Sequence, residues 1–158
     1  MIPIKSPKSI NFYEELSELF KYEISSHKIR IKEDLSIDII DNNLYFKTAQ
    51  YRLNESQKKF LKEFSNKLLL FLYKNRDAID TFEINGHTSS EWANVDFTDS
   101  FINNEKLSMN RSFYTLSYMY KHQDRNIQDW LTSVLKGSGM SFSKKITFND
   151  IENKEKSR

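Results

Sequence analysis

Cysteine is absent from the 158 residues, and glycine, proline and histidine are scarce, with three, two and three copies. Without cysteine the chain has no disulfide, thiolate metal site or thiol nucleophile, and this absence fits either side of a membrane. Few glycines and prolines argue against long flexible linkers, and the length fits one main domain. His27, His87 and His122 lie far apart in the sequence, without the short spacing of metal ligands, so no metal or other cofactor is expected.

Long apolar runs and an excess of one charge are also missing. The longest apolar run, Leu68 to Tyr73, is far shorter than the roughly 20 residues that cross a bilayer. The 24 basic residues nearly balance the 22 acidic ones, which argues against a nucleic-acid partner. Met1 to Lys5 lacks the apolar segment of a signal peptide. Membrane attachment or export is therefore expected only through segments outside this sequence.

Apolar residues at helical spacing predict four helices, which use the bulky aromatic residues, 14% of the chain, as core. Capping-box pairs are predicted to open three of them: Asn11 with Glu14, Asn54 with Gln57, and Asn126 with Asp129. The predicted helices run from Phe12 to about Ser25, from Asn54 to about Lys74, from Leu107 to Tyr120 and from Asn126 to Leu135. Gly137 is expected to end the last one.

Alternating apolar and polar residues predict short strands between these helices. The predicted strands contain Ile29 and Ile31, Ile37 and Ile39, Leu44 and Phe46, Asp80 to Asn85, and Gly137 to Phe142, with a turn at Asp41 to Asn43. From Ile37 the order is strand, helix, strand, helix, short helix, strand. This order predicts an α/β sandwich, with a β-α-β-α-β sheet and helices packed on one face.

The segment between Phe82 and Arg111 contains the most specific pattern. A strand ends in a glycine turn, a polar loop follows, and a helix then opens with Leu-Ser and carries an arginine. This order resembles the signature of the OmpA-like (OmpA/MotB C-terminal) peptidoglycan-binding domain, Gly-x-Thr-Asp followed after a variable loop by Asn-x-x-Leu-Ser-x-x-Arg-Ala. The matching residues are Gly86, Thr88, Asn104, Leu107, Ser108 and Arg111, and Ser112 stands where alanine is usual.

The resemblance covers about residues 36–158 and leaves residues 1–35 as an N-terminal helix and extension. Gly137-Ser-Gly139 resembles a Gly-x-Gly that often follows the family's third strand. Asn153 to Arg158 resembles the beginning of the family's closing motif, which precedes a last strand. That last strand is therefore expected to be absent from this chain. The N-terminal helix is interpreted as a linker to an anchor or as a homodimer contact.

The resemblance implies a site for the diaminopimelate residue of the peptidoglycan stem peptide. Arg111 would bind a carboxylate through parallel hydrogen bonds, and in the first turn of its predicted helix it would add to backbone N–H groups that favour an anion. Thr88, Ser89 and Asn104 would line the pocket, and Gly86 would turn the backbone. Outside this motif, Arg111 would be interpreted as a surface arginine in an ordinary ion pair.

The chain departs from the family pattern at two acidic positions. Ser89 stands where the family has the aspartate that takes the ammonium group, and Lys47 follows Phe46 where an aspartate is usual. Losing one charge-assisted hydrogen bond weakens binding by about 1.5–3 kcal/mol. The alternative acidic residues lie in the loop at 90–103: Glu91, Asp96 and Asp99. Trp92 in the same loop either contacts a sugar or partner or packs to hold the loop in place.

The resemblance implies a non-catalytic module of the periplasm or cell envelope that tethers an outer-membrane or other envelope protein to the cell wall. One alternative is an OmpA-like fold that has lost wall binding and serves as a protein-interaction domain, as Ser89, Lys47 and the loop around Trp92 would suggest. Another is the wall-binding end of a MotB-like stator or of a related phage-defence complex. An enzyme is disfavoured, because the sequence has no Ser-His-Asp order, metal cluster or isolated carboxylate pair.

Overall fold

The computed structural model describes residues 9–88, 95–140, 147–148 and 151–152. Its helices are α1 (Ser9–Leu19), α2 (Lys21–Ser25), α3 (Glu55–Lys74), α4 (Phe97–Lys121) and α5 (Arg125–Val134), with short 3-10 turns at Asn42–Leu44 and Arg76–Ala78. Its strands are β1 (Ile29–Ile31), β2 (Ile37–Ile39), β3 (Phe82–Gly86), β4 (Leu135–Gly139), β5 (Thr147–Phe148) and β6 (Ile151–Glu152). The mixed α and β class is confirmed. The predicted single β-α-β-α-β sheet is wrong for the described residues, whose strands form three small sheets, β1 with β2, β3 with β4, and β5 with β6, because β2 pairs with the neighbouring β1.

Two compact units, each built from separate stretches of the chain, make up the structure. The first comprises Met1–Tyr45, Asn54–Glu83 and Tyr118–Lys136, and the second comprises Phe46–Leu53, Ile84–Ser117 and Gly137–Arg158. The predicted boundary at residue 35 stays a prediction. The β1–β2 hairpin, an antiparallel pair that spans this boundary, lies within the first unit.

The first unit is organised around α3. Phe20 is fully buried, and its ring centroid lies 5.0 Å from that of Phe64 on α3. Phe12 of α1 makes an edge contact with Phe71, at 5.6 Å between centroids. The apolar side of α1 is thus buried within its own unit, and the interpretation of this helix as a linker to an anchor or as a homodimer contact stays a prediction.

The predicted capping box at the start of α3 is confirmed. Asn54 Oδ1 accepts a hydrogen bond from the Gln57 backbone N–H at 2.8 Å, and Gln57 Oε1 accepts one from the Asn54 N–H at 2.8 Å. Two backbone donors that the helix leaves unpaired are satisfied in this way. Gln57 also donates from Nε2 to the Leu44 carbonyl at 3.1 Å. Gln57 therefore holds the end of the 3-10 turn at Leu44 as well as the start of α3.

The prediction of a strand through Leu44 and Phe46 is wrong. Asn42–Leu44 forms a 3-10 turn, because the Asp41 carboxylate accepts a hydrogen bond from the Asn43 N–H at 2.9 Å. A local side-chain bond of this kind competes with strand pairing. The turn that was predicted at Asp41 to Asn43 is confirmed.

Three predicted helix ends also differ from the structure. α1 begins at Ser9, so Asn11 lies inside the helix and does not cap it. The Asp124 carboxylate, rather than Asn126, caps α5 by accepting from the Ile127 N–H at 3.0 Å. Gly137 does not end α5, because the helix stops at Val134 and β4 follows directly.

The largest difference is at α4, which begins at Phe97 rather than at Leu107. The Asp96 carboxylate accepts a hydrogen bond from the Asp99 N–H at 2.7 Å, and the Asp96 carbonyl accepts one from Ser100 at 2.9 Å. These bonds open the helix ten residues before the predicted start and turn much of the predicted loop at 90–103 into helix. Polar residues interrupt the apolar spacing in this part of the sequence, so the spacing did not predict a helix here.

The end of the chain adds one hairpin that the sequence did not predict. β5 and β6 pair antiparallel, with Phe148 opposite Ile151. Residues 153–158 lie outside the described residues, so the absence of the family's last strand, which concerns this end of the chain, stays a prediction. Across the residues that the structure describes, every helix is too short or too polar to span a bilayer.

Candidate binding site around Arg111

The second unit is held together where α4 meets all three glycines of the chain. A Cβ atom on Gly86 would lie 2.9 Å from the Ser108 carbonyl carbon and 3.0 Å from the Ser112 nitrogen. On Gly139 it would lie 2.5 Å from Ser108 Oγ, and on Gly137 2.8 Å from Ser112 Oγ. Small residues on both sides therefore let the backbones approach more closely than any larger side chain would allow.

Ser112 also bonds α4 to β3. Its Oγ donates a hydrogen bond to the Ile84 carbonyl at 2.6 Å, and the residue is 2% exposed. The family usually has alanine at this position, which fits the same space but offers no donor. The serine hydroxyl thus gains a partner while the close packing is kept.

Arg111 lies well inside α4, and the expectation that it sits in the first turn is wrong. Because the helix starts at Phe97, the unpaired backbone N–H groups of its first turn are not next to Arg111. The electrostatic contribution at this site comes from the guanidinium itself rather than from a helix N-terminus.

The Arg111 side chain is 3% exposed and is held by backbone carbonyl groups. Nε donates to the Gln50 carbonyl at 2.7 Å, Nη1 donates to the His87 carbonyl at 2.7 Å, and Nη2 donates to the Lys47 carbonyl at 3.1 Å. Hydrogen bonds from a charged donor are roughly twice as strong as neutral ones. These three bonds fix the plane of the guanidinium and connect α4 to the 46–53 segment and to the residues after β3.

The 46–53 segment is shaped around this cation. The Phe46 ring centroid lies 5.0 Å from Arg111 Cζ, a cation–π contact. A turn follows, in which the Gln50 N–H donates to the Lys47 carbonyl at 2.9 Å and Ala49 adopts a left-handed φ of 63°. Such a φ is unfavourable for alanine and persists only where the surroundings require it. The bonds from Arg111 to both ends of this turn supply that requirement.

Thr88 and Asn104 form a second buried polar pair in the same unit. Thr88 Oγ1 donates to Asn104 Oδ1, and Asn104 Nδ2 donates to the Ser100 carbonyl at 3.0 Å. Thr88 is 2% exposed and Asn104 is fully buried. Thr88 directly follows His87, whose carbonyl accepts from Arg111, so the Thr88–Asn104 pair and the guanidinium adjoin along the chain.

Four of the five predicted site residues are thus brought together: Gly86, Thr88, Asn104 and Arg111. The fifth, Ser89, lies outside the described residues, as do Glu91 and Trp92. Of the alternative acidic residues, Asp96 caps α4 and Asp99 lies in its exposed first turn. Whether any of these residues contacts a ligand stays a prediction.

Sequence reasoning missed the groups that hold Arg111. Its acceptors are backbone carbonyls of Lys47, Gln50 and His87, and a backbone carbonyl is present whatever the side chain. Among the four described residues that contact Arg111 in these bonds and in the cation–π contact, Phe46 is the one whose side chain matches the family pattern. Lys47, which departs from the family aspartate, contributes through its main chain. In the described residues no cluster of three His, Asp or Glu side chains is placed to hold a metal ion.

Comparisons with known proteins agree with this architecture. No family model matches the chain, and no curated protein was found as a relative. The structure is similar to that of the cell wall anchor of the T6SS from Pseudomonas aeruginosa, with 13% identity over 90% of this chain and 89% of that chain and a TM-score of 0.59. A second similar structure is the OmpA-like domain of FopA1 from Francisella tularensis subsp. tularensis SCHU S4, with 18% identity, 72% and 64% coverage and a TM-score of 0.49.

At these identities the likeness concerns the fold. The α+β fold predicted from the sequence is confirmed by the likeness to the cell wall anchor. The ligand has to be argued from the residues of this chain.

Proposed function

We propose that this chain is a non-catalytic peptidoglycan-binding module of the periplasm or cell envelope, which tethers a larger protein to the cell wall through the diaminopimelate of the stem peptide. The observation that carries the proposal is the fixed guanidinium of Arg111 beside the Thr88–Asn104 pair, at the position of the signature arginine. A fold shared with a cell wall anchor supports it.

The chemistry of the site suits a carboxylate. A guanidinium carries its N–H groups in one plane, which matches the two oxygens of a carboxylate, and three carbonyl bonds hold that plane in place. We propose that the ligand carboxylate meets this fixed guanidinium. A cation that is already fixed loses little conformational entropy when the ligand arrives, so more of the interaction energy appears as affinity. The ammonium group of diaminopimelate would be taken by Ser89 or by one of the acidic residues that follow it, Glu91, Asp96 or Asp99.

A second function, a protein-interaction domain without wall binding, is favoured by one specific observation. Arg111 is 3% exposed, and three of its bonds end on the backbone of its own unit. Support of the turn around Ala49 is by itself a sufficient reason for a buried arginine at this position, with no ligand required. The two functions therefore differ in whether Arg111 also contacts a ligand. A stator or phage-defence protein would share the wall-binding step and differ in segments outside this sequence.

Co-sedimentation with peptidoglycan sacculi distinguishes the two functions. We expect the wild-type chain to pellet with sacculi and Arg111→Lys to remain mostly in the supernatant, with an affinity at least about tenfold lower, because lysine keeps the charge but loses the planar donor pair. Arg125→Gln is the matched control, since Arg125 is an exposed arginine that bonds Asp129 at 2.8 Å. It should pellet like the wild type.

The melting temperature of each variant has to be measured alongside, so that loss of binding is not confused with loss of folding. A wild-type chain that stays soluble in the presence of sacculi would contradict the wall-binding proposal. Equal pelleting of wild type and a folded Arg111→Lys would keep wall binding but remove Arg111 from the site.

A further inference from the structure

A second arginine lies beside the Arg111 site, at the exposed end of the same segment. Arg52 is exposed, and its Cζ lies 5.8 Å from the Tyr51 ring centroid and 5.9 Å from that of Tyr114. The two tyrosine rings contact each other at 5.0 Å between centroids, in an edge-on arrangement. Tyr51, Arg52 and Tyr114 are named here the Arg52 patch.

Two separate stretches of chain place the Arg52 patch next to Arg111. Gln50, whose carbonyl accepts from Arg111 Nε, is followed directly by Tyr51 and Arg52. On α4, Tyr114 is three residues after Arg111, so the two side chains lie on neighbouring positions of one helix face. The patch and the buried guanidinium therefore share one region of the second unit.

The surroundings of Arg52 differ from those of the exposed arginines Arg30 and Arg125. Arg30 pairs with Asp38 at 3.3 Å, and Arg125 pairs with Asp129 at 2.8 Å. Within the described part of the chain, the Arg52 side chain has neither an ion pair nor a hydrogen bond, and its contacts are with the two tyrosine rings. The ring faces attract the charge without using the N–H groups. Arg52 is therefore a positioned cation whose donors point to no described acceptor.

We infer that the Arg52 patch is a second carboxylate subsite, which takes another carboxylate of the same peptide ligand while Arg111 takes that of the diaminopimelate side chain. This inference rests on the proposed function. A stem peptide has further carboxylates besides that side chain, for example at its C-terminus, so its charge complements two neighbouring arginines. Arginine suits this role because its planar donors match a carboxylate.

The test compares two forms of a soluble diaminopimelate stem peptide by calorimetric titration. One form has all its carboxylates free, and in the other every carboxylate except that of the diaminopimelate side chain is amidated. We expect Arg52→Gln to weaken binding of the free-acid peptide by roughly fivefold, the effect of losing one solvent-exposed charged hydrogen bond. Binding of the amidated peptide should be unchanged by the substitution.

Arg76→Gln is the matched control, because Arg76 is another exposed arginine in a cation–π contact, 4.3 Å from the Tyr73 ring. It belongs to the first unit and should affect neither peptide. If Arg52→Gln leaves the free-acid peptide unaffected, or weakens both peptides equally, the second subsite is wrong although the proposed function stands. If the wild-type chain binds neither peptide, the proposed function fails and this inference fails with it.

Discussion

Replacement of Arg111 by alanine is expected to lower the free energy of unfolding by about 3–5 kcal/mol, the range for breaking a buried charged network. The substitution removes three hydrogen bonds and leaves the Lys47, Gln50 and His87 carbonyls without that donor. It also removes the support of the turn in which Ala49 holds a φ of 63°. The loss of these bonds and the loss of support for the turn both lower the free energy of unfolding.

Urea unfolding followed by circular dichroism measures this effect. Arg125→Ala is the control, since an exposed pair such as Arg125–Asp129 contributes about 0.2–1 kcal/mol. A change below about 1 kcal/mol for Arg111→Ala would mean that water replaces the lost donors without strain, contrary to the arrangement of the carbonyls around the guanidinium. Arg111→Lys should fall between the two, because an ammonium group can serve some of the three acceptors.

Alanine at Gly86 is expected to destabilise the second unit by about 3 kcal/mol or more, at or beyond the upper end for overpacking. The added methyl group would overlap the Ser108 carbonyl oxygen and lie 2.9 Å from the carbonyl carbon. Both atoms belong to the backbone of α4, which cannot move without breaking helical hydrogen bonds or the Ser112–Ile84 bond. The constraint is close packing, since the structure has no glycine with a positive φ in its described residues.

Gly137→Ala is the matched comparison for this prediction. Its nearest neighbours are the Ser112 Oγ atom at 2.8 Å and a Leu116 methyl group at 3.1 Å. Both are side-chain atoms, which can shift at the cost of at most the Ser112–Ile84 hydrogen bond, whereas the backbone of α4 cannot. The denaturation midpoint should therefore fall much less for Gly137→Ala than for Gly86→Ala. Equal midpoints for the two variants would contradict the close contact between Gly86 and α4.

The parts of the fold that the sequence predicted well are those with local causes. The Asn54–Gln57 capping box opens α3, and the alternating isoleucines of Ile29–Ile31 and Ile37–Ile39 mark strands β1 and β2. The capping box depends on side chains that bond backbone groups three residues away, and the strands depend on the alternation of neighbouring side chains. Where a polar stretch forms helix because a single aspartate caps it, as at Asp96, periodicity gave no signal.

The site was predictable in its residues but not in its geometry. The family signature brought Gly86, Thr88, Asn104 and Arg111 into one prediction, and the structure places them in one unit. The predicted position of Arg111 in a first helical turn failed because the start of α4 was misplaced. The carbonyl groups that accept from Arg111 had no sequence signal, since every residue type, proline included, offers the same main-chain acceptor.

The most direct test of wall binding through Arg111 is a calorimetric titration of the wild-type chain with a soluble stem peptide that contains diaminopimelate, compared with the same peptide containing lysine. Lysine keeps the ammonium group and lacks the side-chain carboxylate. If that carboxylate binds the Arg111 guanidinium, the diaminopimelate peptide should bind at least about tenfold more tightly, the equivalent of about 1.4 kcal/mol. Equal affinities, or no heat of binding for either peptide, would contradict the proposal and favour a protein partner.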